Sequence, residues 1–244
     1  MSPLKKIKLA LLYFSLLLCI IFIFVNKKPQ LTRLDKTYID SFLSEWKIKE
    51  TPQQVHVSFD SEASFIQKLV TSVVSTIQHN EISFKEFGNI KYYYKNRKGQ
   101  CFDRSILLEK IFKYYDFNFR HVFIYFLKKS TQEPHVIDFF RKSTLSHAVT
   151  EVETKAGWVV IDSNTDCIGI DKNGKTINIG DLKKQVRQKG SLDLKQNCTS
   201  GEPPFWMIYP NFKFIYGVYS RSGSFLSNYK GIPGVNIKMC FYNL

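Results

Sequence analysis

The chain divides by the spacing of its apolar residues. Residues 9–25 (LALLYFSLLLCIIFIFV) are 17 uncharged positions in a row, apolar on every helical face. A run of that length is near the lower limit for a helix crossing a bilayer core. Lys5, Lys6 and Lys8 precede it, and Lys27 and Lys28 follow it. It ends Phe24-Val25-Asn26-Lys27, without the small-residue pair of a signal-peptide cleavage site. The pattern predicts an uncleaved signal anchor. The short, lysine-bearing N-terminal side favours retention in the cytoplasm. The expected layout is a cytoplasmic N-terminus over 1–8, a transmembrane helix over 9–25 and a folded domain over 30–244. That domain would lie outside the cytoplasm, in the periplasm of a bacterium.

Beyond this tract the period changes. Leu34, Tyr38, Ile39, Phe42 and Trp46 recur at helical spacing and predict an amphipathic helix, which Thr51-Pro52 breaks. Asp60 or Ser61 then caps a second helix, with Phe65, Leu69, Val70, Val73 and Ile77 on its apolar face. Residues 81–100 are polar and basic around Tyr92-Tyr93-Tyr94. A third helix is expected over residues 101–115, burying Phe102, Ile106, Leu107, Ile111 and Phe112. Strands are expected over 119–127, 145–153 and 157–163, with residues 154–157 joining the last two as a hairpin. Residues 164–204 read as loop and 205–220 as buried strand. The tail from Arg221 shows no period.

Composition narrows the classes. With 244 residues, 44% of them hydrophobic and 15% aromatic, the chain has material for a large core and is no disordered scaffold. Five cysteines are too few for a disulfide-dense module. Cys167 and Cys198 are the expected disulfide pair in an oxidising compartment, with Cys240 an equally legal partner. Net charge is +14, of which the five lysines of residues 1–30 carry +5 and the remainder +9. A basic surface can meet nucleic acid, anionic lipid or an acidic polymer. No nucleic-acid-binding module accompanies it, so nucleic acid is not an expected partner. No phosphate-cradling glycine loop and no metal-spaced Cys/His cluster is present, so neither cofactor nor metal is expected.

Three residues carry candidate chemistry. Cys101 opens a helix in KGQCFDRS, His147 lies 46 positions later on a strand, and Asp162 ends the next strand 15 positions further on. A thiol at a helix start meets the positive end of the dipole and unpaired N–H groups, which favour its thiolate and can hold an oxyanion. A histidine on a nearby strand can take the thiol proton and return it to a leaving amine. A carboxylate on the adjacent strand can fix the imidazole tautomer. Asp103, about 200° round the helix from Cys101, points elsewhere and suits the helix start. Taken singly, a buried cysteine, a strand histidine and a strand-end aspartate each have a structural explanation. Arg120 and His121 suit strand packing and surface, and His56, His79 and His135 stand in no supporting context.

The ordered set resembles the transglutaminase-like superfamily, which has a papain-like fold. The residues that carry the likeness are GQC-x-D at 99–103, LLEKIFKYYDFNFRHV at 107–122, the strand around His147, and GWVVID at 157–162. The resemblance implies an α+β fold with the Cys-bearing helix packed on an antiparallel sheet that bears His and Asp. It also implies Cys101 as nucleophile, His147 as general base and acid, and Asp162 as orienter. The expected substrate is a protein or peptide amide, attacked to give a thioester that water or an amine resolves. Hydrolysis, as in a protease or amidase, is the expected outcome, and amine transfer the variant. The alternative is an inactive domain of the same fold that binds an envelope partner. The family's upstream oxyanion-hole tryptophan has no counterpart near the site, since Trp46 is remote; one of Tyr92, Tyr93 and Tyr94 could take that role.

Overall fold

Capping chemistry sets the helical half of the molecule. The computed structural model describes residues 8, 12–16, 31–127, 133–135, 138–139, 141, 144–189, 203–221, 224–225, 235–236 and 240–243. Helix α1 (Arg33–Glu45) starts at a capping box, in which Thr32 and Asp35 exchange hydrogen bonds. Short α2 (Pro52–Val55) is capped in the same way by Thr51 and Gln54. Helix α3 (Phe59–Thr76) is capped by Ser58, not by Asp60 or Ser61. Ser58 has the extended backbone an N-cap needs, and Asp60 sits in the first turn, where its charge meets the helix dipole.

Residues 81–100 are more ordered than their polarity suggests. Strand β1 (Gln78–His79) pairs in parallel with β2 (Lys98–Gly99), and between them α4 (Ile90–Asn96) buries Ile90 and Tyr93. Helix α5 (Cys101–Tyr114) follows directly. Strands β3 (Phe119–Phe126), β4 (Leu145–Thr154), β5 (Gly157–Asp162) and β6 (Lys213–Tyr216) form one antiparallel sheet in the order β5-β4-β3-β6. The β4–β5 turn needs Gly157, whose φ of +119° L side chains rarely adopt. Residues 164–204, read as loop, contain α6 (Ile179–Lys189), and the first part of the expected strand over 205–220 is a short helix, α7 (Phe205–Ile208). A two-stranded sheet of β7 (Ser220–Arg221) and β8 (Ser224–Phe225) follows, and a 3-10 turn over Phe241–Asn243 is the last described element.

The sheet is covered on both faces. Val152, Val159 and Ile161 join the core of α1, α3 and α5, while Val122, Ile124, Val149 and Val160 pack against Ile179, Leu182, Trp206 and Phe212. Two-sided burial explains why β3 reads as a nearly continuous apolar run instead of alternating. Arg120 and His121 are buried, not surface: Arg120 pairs with Glu151 and lies over the Trp158 ring, and His121 hydrogen-bonds Glu109.

Two expectations are corrected. Among the described residues no helix is long and apolar enough to cross a membrane. Of residues 9–25 the structure describes 12–16, helical, with Leu12, Tyr13, Phe14 and Leu16 exposed. Residues 9–11 and 17–25 lie outside the described residues. The transmembrane helix over 9–25 is therefore withdrawn, and with it the single-pass topology and the extracytoplasmic, periplasmic placement. The papain-like designation is not retained either; the fold is mixed α/β around an antiparallel four-stranded sheet. Among the cysteines, Cys167 is disulfide-bonded while Cys101 and Cys240 are free, which removes Cys240 as its partner; Cys198 lies outside the described residues.

Helix α5 carries a buried ammonium, Lys110, that donates to Asp35 and to the Gly88 carbonyl, both at 2.9 Å. Lys110→Ala leaves the Asp35 carboxylate buried without its cation. Urea unfolding should show a loss of about 3–5 kcal/mol; a loss below about 1 kcal/mol would mean that this pair does not hold α1 to α5.

Candidate active site

The local sequence KGQC makes the start of α5. Gly99 is required there because a Cβ would lie 2.8 Å from the Asp103 Cβ. Asp103 accepts from the Gln100 N–H at 2.8 Å and from the Tyr93 hydroxyl at 2.8 Å. Its carboxylate thus serves the helix start and not the thiol. Tyr93 is committed to that bond, and its phenol is held well above its ordinary pKa by burial and by the Asp103 charge. None of Tyr92, Tyr93 and Tyr94 lines the pocket at Cys101, so the expected hydroxyl donor is not among them.

The register of the sheet brings His147 and Asp162 together. Val149 pairs with Asp162, so His147, two residues before Val149 and on the same face, is the diagonal neighbour of Asp162. His147 Nε2 lies 2.8 Å from Asp162 Oδ1. The ring also hydrogen-bonds the Cys101 side chain. All three residues are buried, with Cys101 at 7% exposure the most open. The structure thus brings together the three side chains singled out in the sequence.

Electrostatics couple the group. Burial works against a charged His147, but the Asp162 carboxylate and Cys101 outweigh it and raise its pKa from 6.5 to about 10. Burial alone would raise the pKa of Asp162. The His147 charge and the N–H groups of Asn164 and Phe205 overcome that and hold the carboxyl below its ordinary 3.8. Asn164 N donates to Oδ1 at 2.9 Å and Phe205 N to Oδ2 at 3.0 Å, so both oxygens are engaged.

Several supporting groups were not legible in the sequence. The Ser163 hydroxyl lies 2.9 Å from the carbonyls of both Cys101 and Ala148, pinning the start of α5 to β4 beside His147. Arg104 donates to the carbonyls of Ile77, Ser163 and Asn164. The Phe205 ring lies 5.0 Å from the His147 ring. His79 has context after all: the β1–β2 register sets it opposite Gly99, and it lines the pocket. His56 is structural, bonded to Glu62 and to the Tyr115 carbonyl, and the His135 N–H caps on Asp138. Spacing carries no signal for contacts of this kind, since the partners are backbone atoms up to 62 residues away.

Cys101 and His147 open into a pocket of about 400 Å³. Gln100, Asn164 and Thr165 give it a polar side, and Phe126, Phe205, Ile208 and Tyr209 an apolar one. The first-turn N–H groups of α5 have no intrahelical acceptor and form a donor set next to the sulfur. Among the described residues no group of His, Cys, Asp or Glu could hold a metal ion. Comparison with protein-family models, with curated proteins and with solved structures gives no match.

The buried pair makes stability depend on pH in a defined direction. A histidine whose folded pKa is raised stabilises fully below its unfolded value, near 6.5, and loses that contribution as pH rises to about 10. The stability gap between wild type and His147→Ala should be constant just below pH 6.5 and shrink between 6.5 and 10. Asp162 contributes above about 3.8, and that contribution goes as pH falls further. Urea unfolding across pH checks both windows; a gap that widens towards pH 10 would contradict the His147–Asp162 coupling.

Proposed function

We propose that the protein is a cysteine acyl-transfer enzyme that cleaves amide or peptide bonds through a thioester on Cys101, with water as the main acceptor. The observation that carries this reading is the buried set in which one ring, His147, bonds Asp162 and interacts with Cys101, all three lining one pocket. The residues of the transglutaminase-like resemblance are the same three, which supports the same chemistry.

The steps follow from the groups present. The Cys101 thiolate, paired with protonated His147, attacks the substrate carbonyl carbon, and the oxygen takes up the negative charge facing the first-turn N–H groups of α5. His147, protonated at neutral pH, gives its proton to the departing nitrogen as the C–N bond breaks, leaving a thioester and a free amine. Water then attacks the thioester. His147 takes one water proton, and the C–S bond breaks to release a carboxylic acid and the Cys101 thiolate beside the protonated His147, which restores the starting state. Asp162 stays ionised throughout and keeps the ring turned, its own orientation fixed by the Asn164 and Phe205 N–H groups.

Peptide-amide turnover, followed by mass with and without a primary amine, tests the reading. Cys101→Ala should abolish it, and Asp162→Asn should lower kcat by about two to four orders of magnitude. Full activity in Cys101→Ala would overturn the proposal, and dominant conjugate with the amine would replace water as acceptor while keeping the thioester. The alkaline limb of kcat/KM should fall near pH 10, where His147 loses the proton the leaving amine needs. It should move to lower pH in Asp162→Asn, because burial then acts on the ring without the opposing carboxylate. An unmoved limb would show that His147 is not the acid.

A further inference from the structure

The two sides of the pocket differ in more than polarity. Phe205 opens α7, donates its N–H to Asp162, and presses its ring on His147. Tyr209, just past the end of α7, stacks on Phe126 of β3 at 3.9 Å between ring centroids. Phe205 also packs edge-on against Trp206 and Phe212, both buried. The apolar side is therefore a fixed wall, built on the same segment that orients the triad carboxylate. Ile208 extends this wall to the surface, at 51% exposure.

Charge separates this wall from the rest of the molecule. The chain carries +14, yet among the described residues the pocket lining holds no lysine and no arginine. Its one carboxylate is Asp162, whose two oxygens already serve His147, Asn164 and Phe205. A charged side chain entering here would give up water for rings and methyl groups, and the one cation in the described lining, His147, is already paired with Asp162. An aliphatic or aromatic group would bury its surface against Phe205, Ile208 and Tyr209.

We infer that the wall formed by Phe126, Phe205, Ile208 and Tyr209 is a specificity subsite that receives an uncharged aliphatic or aromatic side chain of the acyl donor, next to the carbonyl that Cys101 attacks. The subsite rests on the acyl-transfer reading and names the substrate class it selects. Because α7 both forms the wall and holds Asp162, filling the subsite also braces the orienting carboxylate.

The test measures labelling of Cys101 by intact mass. Iodoacetamide reports the bare thiol. Four chloromethyl ketones, built on N-acetylated Phe, Leu, Asp and Lys, carry the side chain into the pocket. In the wild type the Phe and Leu probes should label at least about tenfold faster than the Asp and Lys probes, after division by the iodoacetamide rate. Ile208→Lys places a cation at the exposed edge of the wall and should raise the Asp-to-Phe rate ratio at least about tenfold. Far-UV circular dichroism and the urea midpoint confirm that the variant is folded, and Ile208→Gln serves as a second, uncharged variant with a lowered Phe rate. Four probes within about twofold of one another, or a ratio unchanged in Ile208→Lys, would overturn the subsite and leave the triad standing. Iodoacetamide labelling of Cys101 that is indifferent to His147→Ala would instead overturn the acyl-transfer reading, and the subsite with it.

Discussion

Helix α5 is buried from Cys101 to Phe112, and that burial is the constraint on which the remaining structure depends. A helix covered all round cannot leave a charge unmatched, yet this one contains Asp103, Arg104, Glu109 and Lys110. Each is satisfied by a different part of the chain. Asp103 takes the Tyr93 hydroxyl of α4. Arg104 takes carbonyls at the end of α3 and just after β5. Glu109 meets His121 on β3, Thr150 on β4 and the Tyr219 hydroxyl, and Lys110 meets Asp35 on α1. Breaking any one of these would strand a buried charge, at several kcal/mol. The four together fix both where α5 lies and how it is rotated.

The site inherits its geometry from those ties. Arg104 and Ser163 bind the first turn of α5 to the segment that follows Asp162, so Cys101 and Asp162 are positioned by one short stretch of chain. His147 is set by strand register, since a slip of one residue would turn it to the other face of β4. Asp162 is held from the opposite side by α7. The relay is thus assembled from four elements, none of which can shift without moving its partners.

Polar groups are also used to lock the sheet. The Arg120 guanidinium lies 4.0 Å from the Trp158 ring centroid and 4.4 Å from that of Tyr216, and it pairs with Glu151, which accepts the Ile179 N–H at the start of α6. On the other face, His121 stacks on Tyr219 at 4.1 Å while bonded to Glu109. Both networks lie between the sheet and its covering layers. They fix which element covers which face, a specificity that apolar packing alone supplies poorly.

Local signals determined much of what the sequence could say by itself. Helical period marked α1, α3 and α5, β-branched and aromatic runs marked β3 to β5, and Cys101 at a helix start, His147 on a strand and Asp162 at the end of the next strand marked the candidate site. Each depends on residues close together in the chain. Where local composition misled, tertiary contact decided the outcome. Tyr93 made a helix of a polar stretch by reaching Asp103, and α6 formed where Leu182 and Val186 could cover β-sheet residues. The aromatic run over 205–220 split into α7 and β6 because Phe205 caps Asp162 and Lys213–Tyr216 pairs with β3. The contacts that hold Cys101 and Asp162 in place were set by tertiary structure alone, because backbone carbonyls and N–H groups are the same at every position and only the fold determines which of them meet.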